Sequence, residues 1–130
     1  MSKVKMTNGV IKSLIGCLEE LTKKSSKLPI TVWYNLSYNR TLFMAADKLT
    51  EEARIKLVDK FGVVDKETKA TNVPQESIPD FQKEYIELLE MEVKLDVRKI
   101  KMSTLDNAMD GMEGVNGLFN FFEFMVDGEE

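Results

Sequence analysis

Residues 92–97 read EVKLDV. Val93, Leu95 and Val97 alternate with Glu92, Lys94 and Asp96. Period-two alternation puts the apolar set on one face, so the stretch predicts a strand with one face buried. The phase changes after Arg98-Lys99, because Ile100 and Met102 then point the other way. A bulge or a strand end near Lys99 accounts for that change. A lone strand needs a mate. KVKM at residues 3–6 supplies one, with Val4 and Met6 on a common face. Two strands are stable only with further backing, so helices must cover the sheet.

The helices are legible on either side. Thr7 and Asn8 are good N-cap residues, and Ile11, Leu14, Ile15, Leu18 and Leu21 follow at helical spacing. This predicts a helix over about 8–23. Cys17 lies within it and reads as a small packing residue. KKSSKLP at 23–29 is a linker, and Pro29 suits the first turn of a new helix. Residues 30–61 contain neither Pro nor Gly. Leu36, Phe43, Ala46, Ala53, Leu57 and Phe61 can share one broad face, while Tyr34, Tyr38, Leu42, Ala45 and Leu49 widen the apolar surface on another. Such a helix is packed on two sides or has a partner. The residues alone leave open one long helix or two with a break near Leu49. Gly62 is placed as a C-terminal cap.

Residues 63–77 have no period and predict an exposed loop. Ser77 and Pro79 start a third helix, with Ile78, Phe81, Tyr85, Leu88 and Leu89 as its buried stripe. Residues 103–116 read as irregular. The end of the chain, GLFNFFEFMV at 117–126, holds four of the seven phenylalanines. Asn120, Glu123 and Asp127 form a polar stripe at helical spacing, which predicts a short helix over 115–126. On this reading Phe119 and Phe122 dock on the chain's own helices. Phe121 and Phe124, with Leu118 and Met125, are the candidates for meeting another chain. The fold expectation is α+β and mostly helical: three to four helices on a two-stranded sheet, closed by a short Phe-rich helix, in one domain of 130 residues.

Composition restricts the chemistry. There is no histidine, so a Ser-His-Asp or Cys-His arrangement is impossible and the commonest zinc ligand is missing. One cysteine cannot form an internal disulfide. No phosphate-cradling glycine loop occurs. DNAMDG at 106–111 resembles the start of a calcium loop, but Ala108 and Gly117 stand where ligands belong. The expectation is therefore no enzyme, no metal and no cofactor. Net charge is −4, which disfavours nucleic acid. Residues 1–62 carry +5 and residues 63–130 carry −9; two mutually attracting halves of one fold is the plainer explanation. No apolar run reaches the length of a membrane span, and the N-terminus has no signal pattern. Trp33, Tyr34 and Tyr38 cluster early in the long helix, as core aromatics or as interface anchors.

Four segments, KMTNGVIKSLIGCLEEL (5–21), LPITVWYNLSYN (28–39), EEARIKLVDKFGVVDKETK (51–69) and FQKEYIELLEMEVKLDVRKI (81–100), carry a resemblance in their order and spacing. They resemble a family of small phage and prophage proteins of unknown function, over about residues 4–101. Val10 stands where that family has an acidic residue, and Phe61 where it has Tyr. The resemblance implies a phage origin and a continuous second helix; it implies no activity and no catalytic residues. The function expected is a phage accessory protein that binds another protein in the host cytoplasm, for instance blocking a host factor or defence protein. A virion component or assembly factor is the second reading, and a small metal-dependent hydrolase the third. A homodimer through the long helix is compatible with the first two.

Overall fold

A computed structural model describes residues 2–24, 28–105, 115 and 117–127. The architecture is α+β and mostly helical. Strand β1 (Ser2–Thr7) leads directly into helix α1 (Asn8–Lys24), and helix α2 (Ile30–Phe61) follows. A short hairpin of β2 (Val63–Val64) and β3 (Thr71–Asn72) precedes a 3-10 turn (Gln75–Ser77) and helix α3 (Ile78–Glu90). Strand β4 (Glu92–Val97), strand β5 (Ile100–Lys101) and helix α4 (Met102–Leu105) come next, then helix α5 (Leu118–Met125) and strand β6 (Val126–Asp127).

The decisive strand pairs as its pattern requires. β1 and β4 run antiparallel with Val4 opposite Leu95 and Met6 opposite Val93. Their apolar face packs into the same core as α1, whose Ile11, Leu14, Cys17, Leu18 and Leu21 are all buried. Burial pushes the Cys17 thiol up to about 11, with Glu20 adding to the effect, so it remains a neutral packing group. Thr7 and Asn8 divide the work at the start of α1. The Thr7 hydroxyl oxygen accepts the Val10 N–H at 3.1 Å, as an N-cap does. The Asn8 amide instead donates to the Leu88 carbonyl at 2.9 Å, and its backbone N–H donates to the Met91 carbonyl at 3.0 Å. Asn8 thereby ties the start of α1 to the C-terminal end of α3.

α2 is a single helix of 32 residues with no break at Leu49. Thr50 is buried there and continues the helix instead of capping a new one. Lys12 joins α1 to α2 through Asp47 at 2.8 Å and Glu51 at 3.4 Å. Lys60 joins α2 to α3 through Glu84 at 2.9 Å. The charge imbalance between the two halves is only partly neutralised across the fold: Lys5–Glu92 and Lys60–Glu84 bridge them, whereas Lys12, Arg40 and Arg54 pair within the first half.

Several expectations change. Gly62 does stand at the C-cap of α2, but in extended backbone, φ −88° and ψ 161°, and not in the left-handed form. Its glycine is required for space: a methyl there would run into the Val58 carbonyl oxygen and the Thr71 methyl group. Gly62→Ala should therefore cost about 1–3 kcal/mol, the usual penalty of overpacking. Urea denaturation checks this, and an unchanged midpoint would contradict it.

The segment 63–77 is not a plain loop. Val63 pairs with Asn72 and Val64 with Thr71. Asp65 closes the turn by accepting the Glu67 N–H at 2.8 Å, with Lys69 at φ 60°. Ser77 precedes α3 without a side-chain capping bond, although Pro79 does sit in the first turn. Part of 103–116 is helical, within α4, and Val115 is buried. The calcium-loop reading falls on 106–111, outside the described residues.

α5 begins at Leu118, not 115, and Gly117 stands just outside it in left-handed backbone, φ 84°. A Cβ at Gly117 would lie 3.1 Å from Ser13 Oγ and 3.3 Å from the Cys17 Cβ. Gly117 thus lets the chain run close against α1 before the helix starts. After Met125 the chain turns extended, and β6 pairs in parallel with β5, Ile100 opposite Val126. The phase change after Arg98-Lys99 marks the point where the chain leaves the first sheet and starts this second pair.

Candidate protein-interaction surface

The two sets of candidate interface residues have opposite fates. Phe121 and Met125, expected to meet another chain, are both 0% exposed. Leu118 and Phe124 are partly buried against the same core. The rings of Phe121 and Phe122 meet edge to face at 5.4 Å between centroids. α5 therefore closes the core of its own chain, and the division of its rings must be redrawn. Phe122 docks on the core as expected; the Phe119 side chain lies outside what the structure describes.

Trp33, Tyr34 and Tyr38 are the reverse case. They are 43%, 56% and 39% exposed, so they are not core aromatics. The reason is the helical wheel of α2. Val32, Leu36, Asn39 and Phe43 recur at i, i+4, i+7 and i+11 and take the buried face. Tyr34, Tyr38, Leu42, Ala45 and Leu49 then fall on the far side, with Leu42 at its edge and partly buried against the core. With Trp33, Ser37 and Thr41, the first four of these line an open groove of about 540 Å³. The apolar surface continues to Ile30 at one end and to Leu49, 71% exposed, at the other. From Tyr34 to Leu49 it rises about 22 Å along the helix.

Arg98 forms the edge of this face. Its guanidinium lies 4.0 Å from the Tyr38 ring centroid and 5.5 Å from that of Tyr34. It also donates to Asn35 Oδ1 at 3.4 Å. A planar, weakly hydrated cation of this kind stacks readily on aromatic faces. Its position is set from inside the protein. Asn39 is fully buried, and its amide donates to the Arg98 carbonyl at 2.8 Å while its oxygen accepts the Arg98 N–H at 2.8 Å. One side chain on α2 thus replaces the strand partner that Arg98 loses between β4 and β5.

Neither residue stands out in the sequence. Asn39 is detectable in principle: it shares the buried wheel position of Val32, Leu36 and Phe43, so a polar residue there must have a specific partner. Arg98 carries only an indirect signal, the phase change beside it.

Among the described residues, no group of three His, Cys, Asp or Glu side chains stands where it could hold a metal ion. No helix among them is long and apolar enough to cross a membrane. Comparison with protein-family models, with characterised proteins and with solved structures returned no match.

Proposed function

We propose that this chain is a non-enzymatic protein-binding protein, and that the exposed aromatic face of α2 is its contact surface. The observation that carries the reading is the placement of Trp33, Tyr34 and Tyr38 together in water on a rigid helix. Trp, Tyr and Arg are the residues that most often anchor protein interfaces. A contiguous apolar strip rimmed by polar groups is the usual mark of such a site. Arg98 fits the pattern, since Asn39 holds its backbone while Tyr38 and Asn35 hold its guanidinium before any partner arrives, so it loses little freedom on binding. The sequence resemblance to small phage proteins supports a phage accessory role in a host cell, with the protein acting by occupying a surface rather than by turning over a substrate.

A photo-crosslinking amino acid at Thr41, exposed within the groove, tests the surface directly. Irradiation in cells should give a discrete protein adduct at position 41. The same group at Ile86, an exposed position on α3, should give none. Adding Trp33→Ser and Tyr38→Ser should remove most of the adduct. Equal labelling at 41 and 86, or no adduct at 41, would defeat the proposal.

A further inference from the structure

We infer that the occupant of the α2 face is a second copy of this chain, packed antiparallel about a two-fold axis that passes between Thr41 and Leu42. This rests on the reading of that face as a protein contact surface. Two features of the helix point to self-pairing in this one register.

The first is steric. An antiparallel two-fold at this point sets Tyr38 against the partner's Ala45, Tyr34 against the partner's Leu49, and Thr41 against the partner's Leu42. Each bulky ring meets a smaller side chain, and every such pair occurs twice. That is the self-complementarity an isologous interface needs, in the large-against-small arrangement of closely packed helices. Beyond Leu49 the strip gives way to Glu52 and Lys56, both exposed, so the paired segment has a defined end.

The second is electrostatic. The N-terminus of α2 has no side-chain cap and no acidic residue in its first turn. Among the described residues no side chain thus meets its free N–H groups and partial positive charge. Arg98 stands beside the same turn, sharing a surface depression with Ile30, Thr31 and Asn35. The register fixed by the side chains brings the partner's Glu52 level with Thr31. Glu52 forms no ion pair within its own chain among the described residues; Lys12 and Arg54 are taken by Glu51. The carboxylate of each copy thereby meets the uncapped helix end and the Arg98 side of the other. Parallel pairing would put the two positive helix ends side by side.

Sedimentation or light scattering over the micromolar range should give twice the 14.9 kDa chain mass. Ala45→Arg should return it to one chain, with the far-UV spectrum and melting temperature kept, because Ala45 is exposed and lies outside the core. Glu52→Lys should weaken self-association by roughly tenfold, the effect of reversing a charge at two helix ends. Cys17 is buried, so Thr41→Cys provides a single accessible thiol next to the axis. Mild oxidation should link two Thr41→Cys chains and leave Ile55→Cys chains unlinked.

A single-chain mass throughout the micromolar range overturns the inference, as does a dimer that Ala45→Arg leaves intact or a link at position 55 instead of 41. If the chain is monomeric yet position 41 still crosslinks to a different protein, the contact-surface reading stands and the second copy alone is wrong. If position 41 gives no adduct at all, both fall.

Discussion

Phe121→Ala should lower the free energy of unfolding by about 3–5 kcal/mol. Stability of a domain this size is on the order of 5–15 kcal/mol, so the loss is a large share of the whole. The cost has two parts. The ring is completely buried, so its removal forfeits the transfer energy of the lost atoms. It also leaves a cavity between α5 and the rest of the core that eight residues of helix cannot close by collapsing. Phe124→Ala supplies the contrast. That side chain is only partly buried, and its loss should cost about 1–2 kcal/mol. Chemical denaturation followed by the emission of Trp33, the sole tryptophan, measures both. Equal, small shifts for the two variants would mean that α5 is not part of the cooperative unit. Self-association should survive Phe124→Ala, because that side chain packs on the core and not on the α2 face.

Phe121 marks a place where adjacency in the sequence misleads and the helical wheel does not. Asn120 and Glu123 do mark the wet side of α5, half-buried and exposed respectively, whereas Asp127 lies beyond the helix in β6. At about 100° per residue, Leu118 and Met125 point directly away from that stripe and Phe121 lies about 130° from its midline. The wheel itself therefore assigns Phe121 to the core; a ring beside a polar residue in sequence is not its neighbour in space. Other features have no local signal. β6 is two residues long and pairs with residues far back in the chain, so nothing in Val126-Asp127 announces it. Gly62 and Gly117 look locally like a cap and a weak point of a helix. Each is needed for close approach to a segment that the local sequence does not contain. By contrast EVKLDV, its mate and the stripe of α1 are legible because each bears one clean period against one buried face. α2 is half legible. Its two apolar faces are visible, but which one the rest of the chain covers depends on where α1, α3 and the sheet lie.

Asn39→Leu should destabilise the fold by about 2–4 kcal/mol, even though the two side chains are of comparable size. Leucine would suit the apolar neighbours Val32, Leu36 and Phe43 of that face. It would leave the Arg98 N–H and C=O without partners, at about 1–3 kcal/mol for each unsatisfied group. Asn39→Asp separates the two bonds. A carboxylate still accepts the Arg98 N–H but is held against the Arg98 carbonyl, which it can satisfy only when protonated. Burial and that opposed carbonyl raise the pKa of the introduced carboxyl in the fold above its unfolded value of about 3.9. The folded state then binds the proton more tightly than the unfolded state does, so stability must fall as pH rises from about 4 toward neutrality. Asn39→Asp should accordingly approach wild-type stability near a pH of about 4 and lose most ground at about 7, while Asn39→Leu keeps the same deficit at both. Urea midpoints at the two pH values decide it; parallel pH behaviour of the two variants would show that the reciprocal pair is not what holds Asn39 in the core. The consequence extends to the surface. Without its inner anchor the 98–99 segment is free to move, and the guanidinium loses its fixed place on Tyr38. Both variants should therefore weaken self-association through α2 as well as the fold, although Asn39 itself is buried and not part of the α2 face.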